Sequence, residues 1–327
     1  MAFFGPVEIW YFSVFYLLLV TRFGLPVLEV LAVLGSLMLY EAWGVLLNDI
    51  FDREVDIVAG KSGRKRGHDL GVGVMWGLVL LTAVASWALI VLAGGTPLLY
   101  GTWAFAYVLG FLYSTPPFRL KDRGTLSLFC NSVLERPLPV LIIFLFFRYY
   151  GPEAVVFPIL SELVWSVFKH QVHDYHEDLK ANVKTYAVKI GEAASHKIVK
   201  FVVNPLSVAS VLSFALIAAR TLPQYSGYFL AGAGMTAAGV AGLLVLERRS
   251  LVYTDPLDPP YILFLNLSFL VTVVLLMGAA VVVTQPAYFP PVALFLLSLV
   301  PHMRYYGPMV PRVLRKVSRQ LPARGRP

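Results

Sequence analysis

Long apolar stretches, separated by short polar or proline-containing connections, run along almost the whole chain. Several of them reach the ~20 residues that an α-helix needs to cross a bilayer. Their apolar residues are continuous and do not alternate with polar ones, which indicates helices and not β-strands. The pattern predicts helices at roughly 7–22, 27–48, 70–93, 97–114, 125–147, 153–172, 198–219, 226–246, 261–284 and 288–304.

The composition is that of a polytopic membrane protein. The 327 residues are 58% hydrophobic and 14% charged, with a mean hydropathy of +0.71, whereas soluble domains are about half apolar and a quarter charged. Because Cys130 is the only cysteine, no internal disulfide can form. The net charge of +8 is explained by basic loops and anionic lipid, so no nucleic-acid partner is expected. The first apolar stretch contains Glu8 and no preceding basic segment, which favours a retained helix over a cleaved signal peptide.

Basic residues are distributed very unevenly between the connections. Fourteen Lys and Arg lie in four loops, at 49–69, 115–124, 173–197 and 247–260. The other short connections between predicted helices hold three, Arg22, Arg148 and Arg220. The positive-inside rule therefore predicts that the four loops and the N-terminus face the cytoplasm.

The C-terminal end is also basic, with seven Lys and Arg after His302. If this end is cytoplasmic too, the number of crossings is even, which favours a true tenth crossing at 288–304. A re-entrant or interfacial segment is the alternative, because this stretch is short and contains three prolines. We expect one transmembrane domain over 1–304, made of nine or ten helices, and a basic cytoplasmic tail over 305–327.

An acidic stretch follows the second apolar run, at residues 48–56. On a helix, Asp49, Asp52 and Asp56 are spaced i, i+3, i+7 and share one face. Such a stripe repels itself unless a cation sits on it. Oxygen ligands suit Mg²⁺, which often bridges one or two carboxylates and a substrate phosphate. The alternative is a solvated acidic helix end paired with Arg53 and the basic loop that follows.

A second acidic stretch lies in the third basic loop, on the same predicted side of the membrane. Asp174 and Asp178 are spaced i, i+4 on one helical face, with Glu177 beside them. The segment 179–191 is a candidate short helix that covers the site. Two acidic clusters on one membrane face provide about the number of carboxylates that a diphosphate with its Mg²⁺ ions requires.

Basic side chains near these clusters are candidate phosphate ligands. Arg119 and Lys121 follow Tyr113 and the double proline that ends the fourth predicted helix. The first loop offers four more, Lys61, Arg64, Lys65 and Arg66, for which orientation signalling and lipid contact are the alternative.

Three further features have alternative readings. His170, His173 and His176 have a spacing that allows zinc binding with Asp174, although ordinary interfacial histidines are the simpler reading. Arg136 falls inside an apolar run and either pairs with Glu135 or faces an interior cavity. A further acidic pair, Asp255 and Asp258, is most simply interpreted as turn residues.

The motifs together resemble those of the UbiA superfamily of intramembrane aromatic and lipid prenyltransferases. Residues 48–56 fit NDxxDxxxD and residues 174–178 fit DxxxD. Residues 113–121 resemble the YSxxPxRLK segment of that family, and residues 185–191 resemble its TxAVxxG segment. The resemblance implies an all-α bundle around a central cavity that opens to lipid and is capped by the two acidic loops.

The resemblance also implies a reaction. A polyprenyl diphosphate donor is ionised with Mg²⁺ bound, and the prenyl group passes to an aromatic or lipid acceptor within the membrane. The resemblance implies that five aspartates bind the metal and are catalytic: Asp49, Asp52, Asp56, Asp174 and Asp178. It implies that the substrate is bound by Asn48, Arg64, Tyr113, Arg119 and Lys121. Lys121 is implied to be catalytic as well.

Two other functions use the same residues. A terpene cyclase would ionise the same donor without an external acceptor. A transporter would use intramembrane acids for its cargo. The acids here lie at helix ends and no inverted repeat is evident, which disfavours transport.

Overall fold

The protein is built from α-helices. The computed structural model describes residues 7–58, 70–164, 166–248 and 272–306, and these ranges contain no β-strand. In chain order the α-helices are α1 Val7–Val20, α2 Val27–Phe51, α3 Arg53–Val58, α4 Val72–Leu92, α5 Pro97–Ser114, α6 Thr125–Glu135, α7 Pro137–Phe146, α8 Glu153–Val164, α9 Val167–His173, α10 Tyr175–Lys180, α11 Tyr186–Ile190, α12 Glu192–Ile198, α13 Asn204–Thr221, α14 Ser226–Arg248, α15 Thr272–Thr284 and α16 Phe289–Tyr306. The predicted all-α class is confirmed. Arg64, Asp255, Asp258 and the tail from 307 onward lie outside the described residues.

Four helical runs in the described ranges are long and apolar enough to cross a membrane: Val27–Phe51, Val72–Leu92, Thr125–Phe146 and Glu192–Thr221. Shorter apolar helices occupy Val7–Val20, Thr272–Thr284 and Pro286–Val300. A helix therefore exists where the tenth crossing is expected. The number of crossings stays a prediction.

Helix α1 forms the centre of the bundle. It is apolar on every side, and its residues from Val7 to Leu19 are all buried, as expected for a helix with no polar face. Phe12 packs against Phe157 of α8 and Phe214 of α13, with ring centroids 5.7 and 5.1 Å apart. On another side Tyr11 meets Phe295 of α16 at 4.9 Å. Aromatic packing around α1 thus ties early and late parts of the chain together.

Helix α4 lies along α2 and has an apolar outer surface. Its buried positions, Met75, Val79, Ser86 and Ile90, follow helical spacing. The exposed side includes Leu80, Leu81 and Val84. Because both sides of the helix are apolar, the outer one suits contact with lipid chains and not with water.

Two helices predicted as continuous are interrupted near their middles. The run 125–147 is divided at Arg136 into α6 and α7, because Pro137 lacks a backbone N–H and disfavours helical geometry at the residue before it. Arg136 has φ −135° and ψ −58°. The run 153–172 is likewise two helices, α8 ending at Val164 and α9 beginning at Val167.

A buried carboxylate connects three helices at the end of the bundle where α2 and α8 begin. The hydroxyl of Tyr16 donates to Oε1 of Glu153 at 2.9 Å, and that of Tyr149 donates to Oε2 at 3.0 Å. Thr221 of α13 lies 3.5 Å from Oε1. Satisfying both carboxylate oxygens in this way allows Glu153 to be buried.

We expect Tyr16→Phe to lower the free energy of unfolding by about 1–3 kcal/mol, because it leaves one oxygen of the buried Glu153 with fewer donors. Tyr150→Phe is the matched control, since Tyr150 is exposed and should tolerate the change within about 0.5 kcal/mol. Unfolding of the detergent-purified protein, followed by tryptophan fluorescence, measures both. Equal stability of the two variants would contradict the structural role given to Glu153.

Candidate active site

The first acidic cluster lies where α2 passes into α3. Asp52 separates the two helices, but its N–H still donates to Asn48 O at 2.9 Å, and the N–H of Asp56 donates to Asp52 O at 2.7 Å. Helical hydrogen bonding therefore continues through the cluster, and the acidic residues keep the shared face that their spacing predicts. Asp52 and Asp56 are only 8% and 5% exposed, whereas Asn48 and Asp49 are half-buried.

The loop after α5 brings two cations to this cluster. Arg119 donates from Nη2 to Asp52 Oδ1 at 3.0 Å and from Nη1 to the carbonyl of Phe51 at 3.1 Å. Lys121 Nζ donates to the same Asp52 oxygen and, at 2.9 Å, to Oδ1 of Asn48. Arg119 has a left-handed backbone, with φ 35°, which costs roughly 1–2 kcal/mol for a non-glycine residue. Its side-chain contacts hold it there.

Lys121 is the more deeply placed of the two cations, with 7% of its surface exposed. Burial lowers the pKa of Lys121, and the adjacent carboxylate of Asp52 acts in the opposite direction. The ammonium group therefore gains from any further negative charge that arrives beside it. An oxygen-rich anion such as a diphosphate fits this requirement.

The second acidic cluster lies where α9 passes into α10. Asp174 separates these helices, and its N–H donates to His170 O at 2.9 Å. The N–H of Asp178 donates to Asp174 O at 2.8 Å. The two carboxylates therefore share one helical face, as predicted, and both are half-buried. The segment 179–191, which was expected to form a covering helix, is not one helix: Leu179 and Lys180 end α10, and Tyr186–Ile190 forms α11.

Hydrogen bonds between distant residues fix the two loops against each other. The N–H of Gly124 donates to the carbonyl of Lys184 at 2.8 Å. Gly124 and Thr185 form an isolated parallel β-bridge between the two loops. Gly124 has φ +56°, and a Cβ there would lie 3.3 Å from the Lys189 side chain, so glycine suits this position. Where the loops meet, a cavity of about 420 Å³ opens, lined by Asp122, Arg123, Gly124, Lys184, Val188 and Lys189.

Gln171 of α9 makes a second connection between the loops. Its Oε1 accepts the N–H of Tyr186 at 3.1 Å, and its Nε2 approaches Ser127 Oγ of α6 at 3.4 Å. Neither Gln171 nor Ser127 was identified from the sequence. The available signal was a polar residue inside an apolar run, which for Gln171 lies three residues before Asp174.

Tyr113 lies between the two acidic clusters. The Ser127 side chain lies near its hydroxyl, and the carboxylates of Glu135, Asp52 and Asp178 are close enough to act on it electrostatically. One carboxylate of each cluster therefore lies within electrostatic range of the same phenol. That the two clusters bind one ligand stays a prediction.

Metal binding in this space needs more than the protein's own ligands. In the described part of the chain, no three His, Cys, Asp or Glu side chains are grouped closely enough to hold an ion. The donor chemistry still fits Mg²⁺, because the ligands are carboxylates and this ion is usually shared between one or two carboxylates and substrate phosphates. The residues therefore fit a metal bridged by its substrate, and not a closed protein cage.

A zinc site at the histidines is not supported. His170, His173 and His176 belong to no metal-holding group among the described residues. His176 instead lies 3.1 Å from the carboxylate of Glu192, and both side chains are exposed.

The chain matches the model of the UbiA prenyltransferase family over residues 9–270. A 2-acylphloroglucinol 4-prenyltransferase of Humulus lupulus is 27% identical over 172 residues, which are 50% of this chain and 41% of that protein. A probable homogentisate phytyltransferase of Oryza sativa subsp. japonica is 27% identical over 188 residues, 54% of this chain and 48% of that protein. The chain thus spans less than half the length of these curated relatives.

A solved structure has the same fold. It is a UbiA homolog from Archaeoglobus fulgidus bound to DMAPP and Mg²⁺, with a TM-score of 0.52 and 17% sequence identity. The match covers 82% of this chain and 95% of the archaeal one. The UbiA family model covers most of the length of the present chain. This membrane-embedded chain therefore belongs to the UbiA prenyltransferase family.

Proposed function

We propose that the protein transfers a prenyl group from an isoprenyl diphosphate to an acceptor within the membrane and releases diphosphate. The burial of Lys121 against Asp52 and Asn48 carries this proposal, together with one carboxylate from each acidic cluster within electrostatic range of Tyr113. Acids and cations side by side suit a metal-bound diphosphate. The archaeal homolog that shares the fold is bound to such a donor, DMAPP, together with Mg²⁺.

In this proposal the acidic clusters hold Mg²⁺ and the cations hold the leaving group. The metal ligands are Asp49, Asp52, Asp56, Asp174 and Asp178. Lys121, Arg119 and Arg64 bind the diphosphate oxygens, Asn48 orients Lys121, and Tyr113 faces the reacting end of the donor. Mg²⁺ supplies neutralisation of the charge that develops on the leaving diphosphate. The prenyl chain lies between the apolar helices, and the active-site loops face the cytoplasm.

An aromatic acceptor is favoured over a lipid one. The two curated relatives are named for ring acceptors, a 2-acylphloroglucinol and homogentisate. A terpene cyclase remains the second candidate function, because the donor-binding residues serve ionisation in either reaction. Product analysis separates the two, since transfer gives a coupled adduct and cyclisation gives a hydrocarbon.

Asp56→Asn and Asp174→Asn test the acidic clusters. Each should lower kcat by about a hundredfold or more with geranylgeranyl diphosphate and Mg²⁺, because each removes a charge that holds the metal-bound leaving group. Release of labelled diphosphate is the measurement. Glu54→Gln is the matched control, because Glu54 belongs to α3 like Asp56 but is exposed, and it should retain activity. Full turnover by both aspartate variants in folded protein would refute the proposed roles.

Lys121→Met tests the buried cation. The neutral side chain keeps the length of lysine but removes the charge beside the leaving group, so kcat should fall by roughly 10²–10³-fold. Lys121→Arg restores the charge with different geometry and should recover part of the loss. A thermal unfolding measurement on each variant separates this effect from misfolding caused by leaving Asp52 with only Arg119. Wild-type kcat in Lys121→Met would argue against a role for this residue.

Mg²⁺ and the diphosphate should bind cooperatively. Because the described carboxylates form no closed metal group, calorimetry should find weak Mg²⁺ binding to the protein alone and at least about tenfold tighter binding with inorganic diphosphate present. By linkage, Mg²⁺ should raise the affinity for diphosphate by the same factor. Equal Mg²⁺ affinity with and without diphosphate would contradict a substrate-bridged metal.

A further inference from the structure

Two neighbouring spans are interrupted inside the bundle. Helices α6 and α7 meet at Arg136, and α8 ends at Val164 shortly before α9 begins at Val167. Helix ends leave backbone groups without partners inside their own helix. Within a membrane such ends are tolerated where they are buried in protein or line a polar cavity. The adjacent interruptions therefore indicate a polar region in the interior.

Charged side chains fill this region. Arg136, only 2% exposed, lies with Nη2 3.2 Å from Glu135 and Nη1 3.5 Å from Glu162. Glu162 also accepts from Ser132 Oγ and from the N–H of Val167, both at 3.0 Å. The buried Nε of Arg136 has no hydrogen-bond partner. The network is thus well formed around Glu162 and leaves one guanidinium donor unsatisfied.

The three helices that carry the active site each place an ionisable side chain deeper in the bundle. Glu41 precedes Asn48 by seven residues on α2, which puts it on the same face about 10 Å further inward. Glu135 follows Ser127 by eight residues on α6, a similar distance. His170 lies one turn before Asp174 on α9.

These inner side chains share one space. Glu41 lies within electrostatic range of Glu135 and Arg136, and His170 lies within range of Glu135, Arg136 and Asp174. His170 is exposed, and Glu41 and Glu135 are half-buried, so none of the three is sealed in the core. We call this group, Glu41, Glu135, Arg136, Glu162 and His170, the inner polar cluster. By helical spacing, Glu41 lies about two turns further inward than Asn48, and His170 about one turn further inward than Asp174.

The inner polar cluster is rich in hydrogen-bond acceptors. The carboxylates of Glu135 and Glu162 contact the Arg136 guanidinium, and Glu41 lies within its electrostatic range. Lys169, which is also within electrostatic range of Glu162, donates from Nζ to Ser207 of α13 at 2.9 Å. A ligand that donates hydrogen bonds therefore finds partners here. A ligand carboxylate would be repelled, because charges interact strongly in a weakly polar interior.

We propose that the inner polar cluster is the acceptor pocket of the enzyme and that it selects an uncharged, hydroxyl-bearing acceptor over a carboxylated one. This inference rests on the proposed function, because only a bound donor places a reactive carbon above the pocket. Glu41 and Glu135 accept hydrogen bonds from the acceptor hydroxyl groups. A carboxylated molecule is rejected because its negative charge would lie unpaired beside these carboxylates. Such repulsion is an effective source of specificity.

A pair of phenols that differ only in charge tests the pocket. Methyl 4-hydroxybenzoate and 4-hydroxybenzoate have the same ring and hydroxyl group, and only the second carries a carboxylate near neutral pH. We expect the ester to bind the detergent-purified protein at least about tenfold more tightly, with Mg²⁺ and inorganic diphosphate present. Calorimetry gives both dissociation constants without requiring turnover.

Charge-neutralising variants show whether the carboxylates of the pocket cause the preference for the ester. Glu41→Gln and Glu135→Gln should each reduce the ester preference by about threefold or more, mainly by tightening 4-hydroxybenzoate binding. Glu29→Gln is the matched control, since it removes a carboxylate from the first turn of the same helix as Glu41, far from the pocket, and should leave the preference unchanged.

The outcomes separate the pocket from the reaction. Equal binding of the two phenols, tighter binding of 4-hydroxybenzoate, or a preference that Glu41→Gln and Glu135→Gln leave intact would overturn the inference. If the preference and its loss are observed but no prenyl diphosphate is ionised, the pocket stands and the proposed reaction is wrong. If the donor is ionised and the preference is absent, the reaction stands and the pocket is wrong.

Discussion

Repulsion among carboxylates at one end of the bundle is the constraint on which the rest of the site depends. Asp52 and Asp56 are nearly buried, where an uncompensated negative charge is costly. Arg119 and Lys121 compensate this charge by direct contact with Asp52. A metal-bound diphosphate would bring its own positive and negative charges into the same space, so the protein cations would turn toward the phosphate oxygens. In the proposed function, the same two cations therefore offset the charge of Asp52 and bind the diphosphate.

Contacts between distant parts of the chain hold the parts of the site together. Arg119 caps the end of α2 through the carbonyl of Phe51, and Gly124 bonds the backbone at Lys184. Gln171 then links α9 to Ser127 and Tyr186. Beneath them, α1 holds the helices through aromatic packing. The positions of the proposed catalytic side chains follow from this frame, and the proposed electrostatic stabilisation of a leaving group depends on such fixed positions.

Local spacing explains what could be predicted from the sequence. The apolar runs predict the helices, and the i, i+3, i+7 and i, i+4 spacings predict the shared faces of Asp49, Asp52, Asp56 and of Asp174 with Asp178, since helical bonding continues through both junctions. Tyr113, Arg119 and Lys121 were identified from a motif. The roles of Gln171 and Glu162, and the Gly124–Thr185 bridge, depend on contacts between residues far apart in the chain. Hydropathy also concealed the interruption at Arg136, because apolar residues continue on both sides of it.

The proposed reaction requires both acidic clusters to bind a single diphosphate through shared metal ions. The most direct measurement is an experimental structure of the protein with a non-hydrolysable prenyl diphosphate analogue and Mn²⁺ in place of Mg²⁺, using the anomalous signal of the metal. We expect metal peaks between the diphosphate and carboxylates of both clusters, with Lys121 on a phosphate oxygen and the prenyl chain between the helices. A diphosphate bound away from Asp52 and Asp174, or metal bound without diphosphate, would contradict the proposed site.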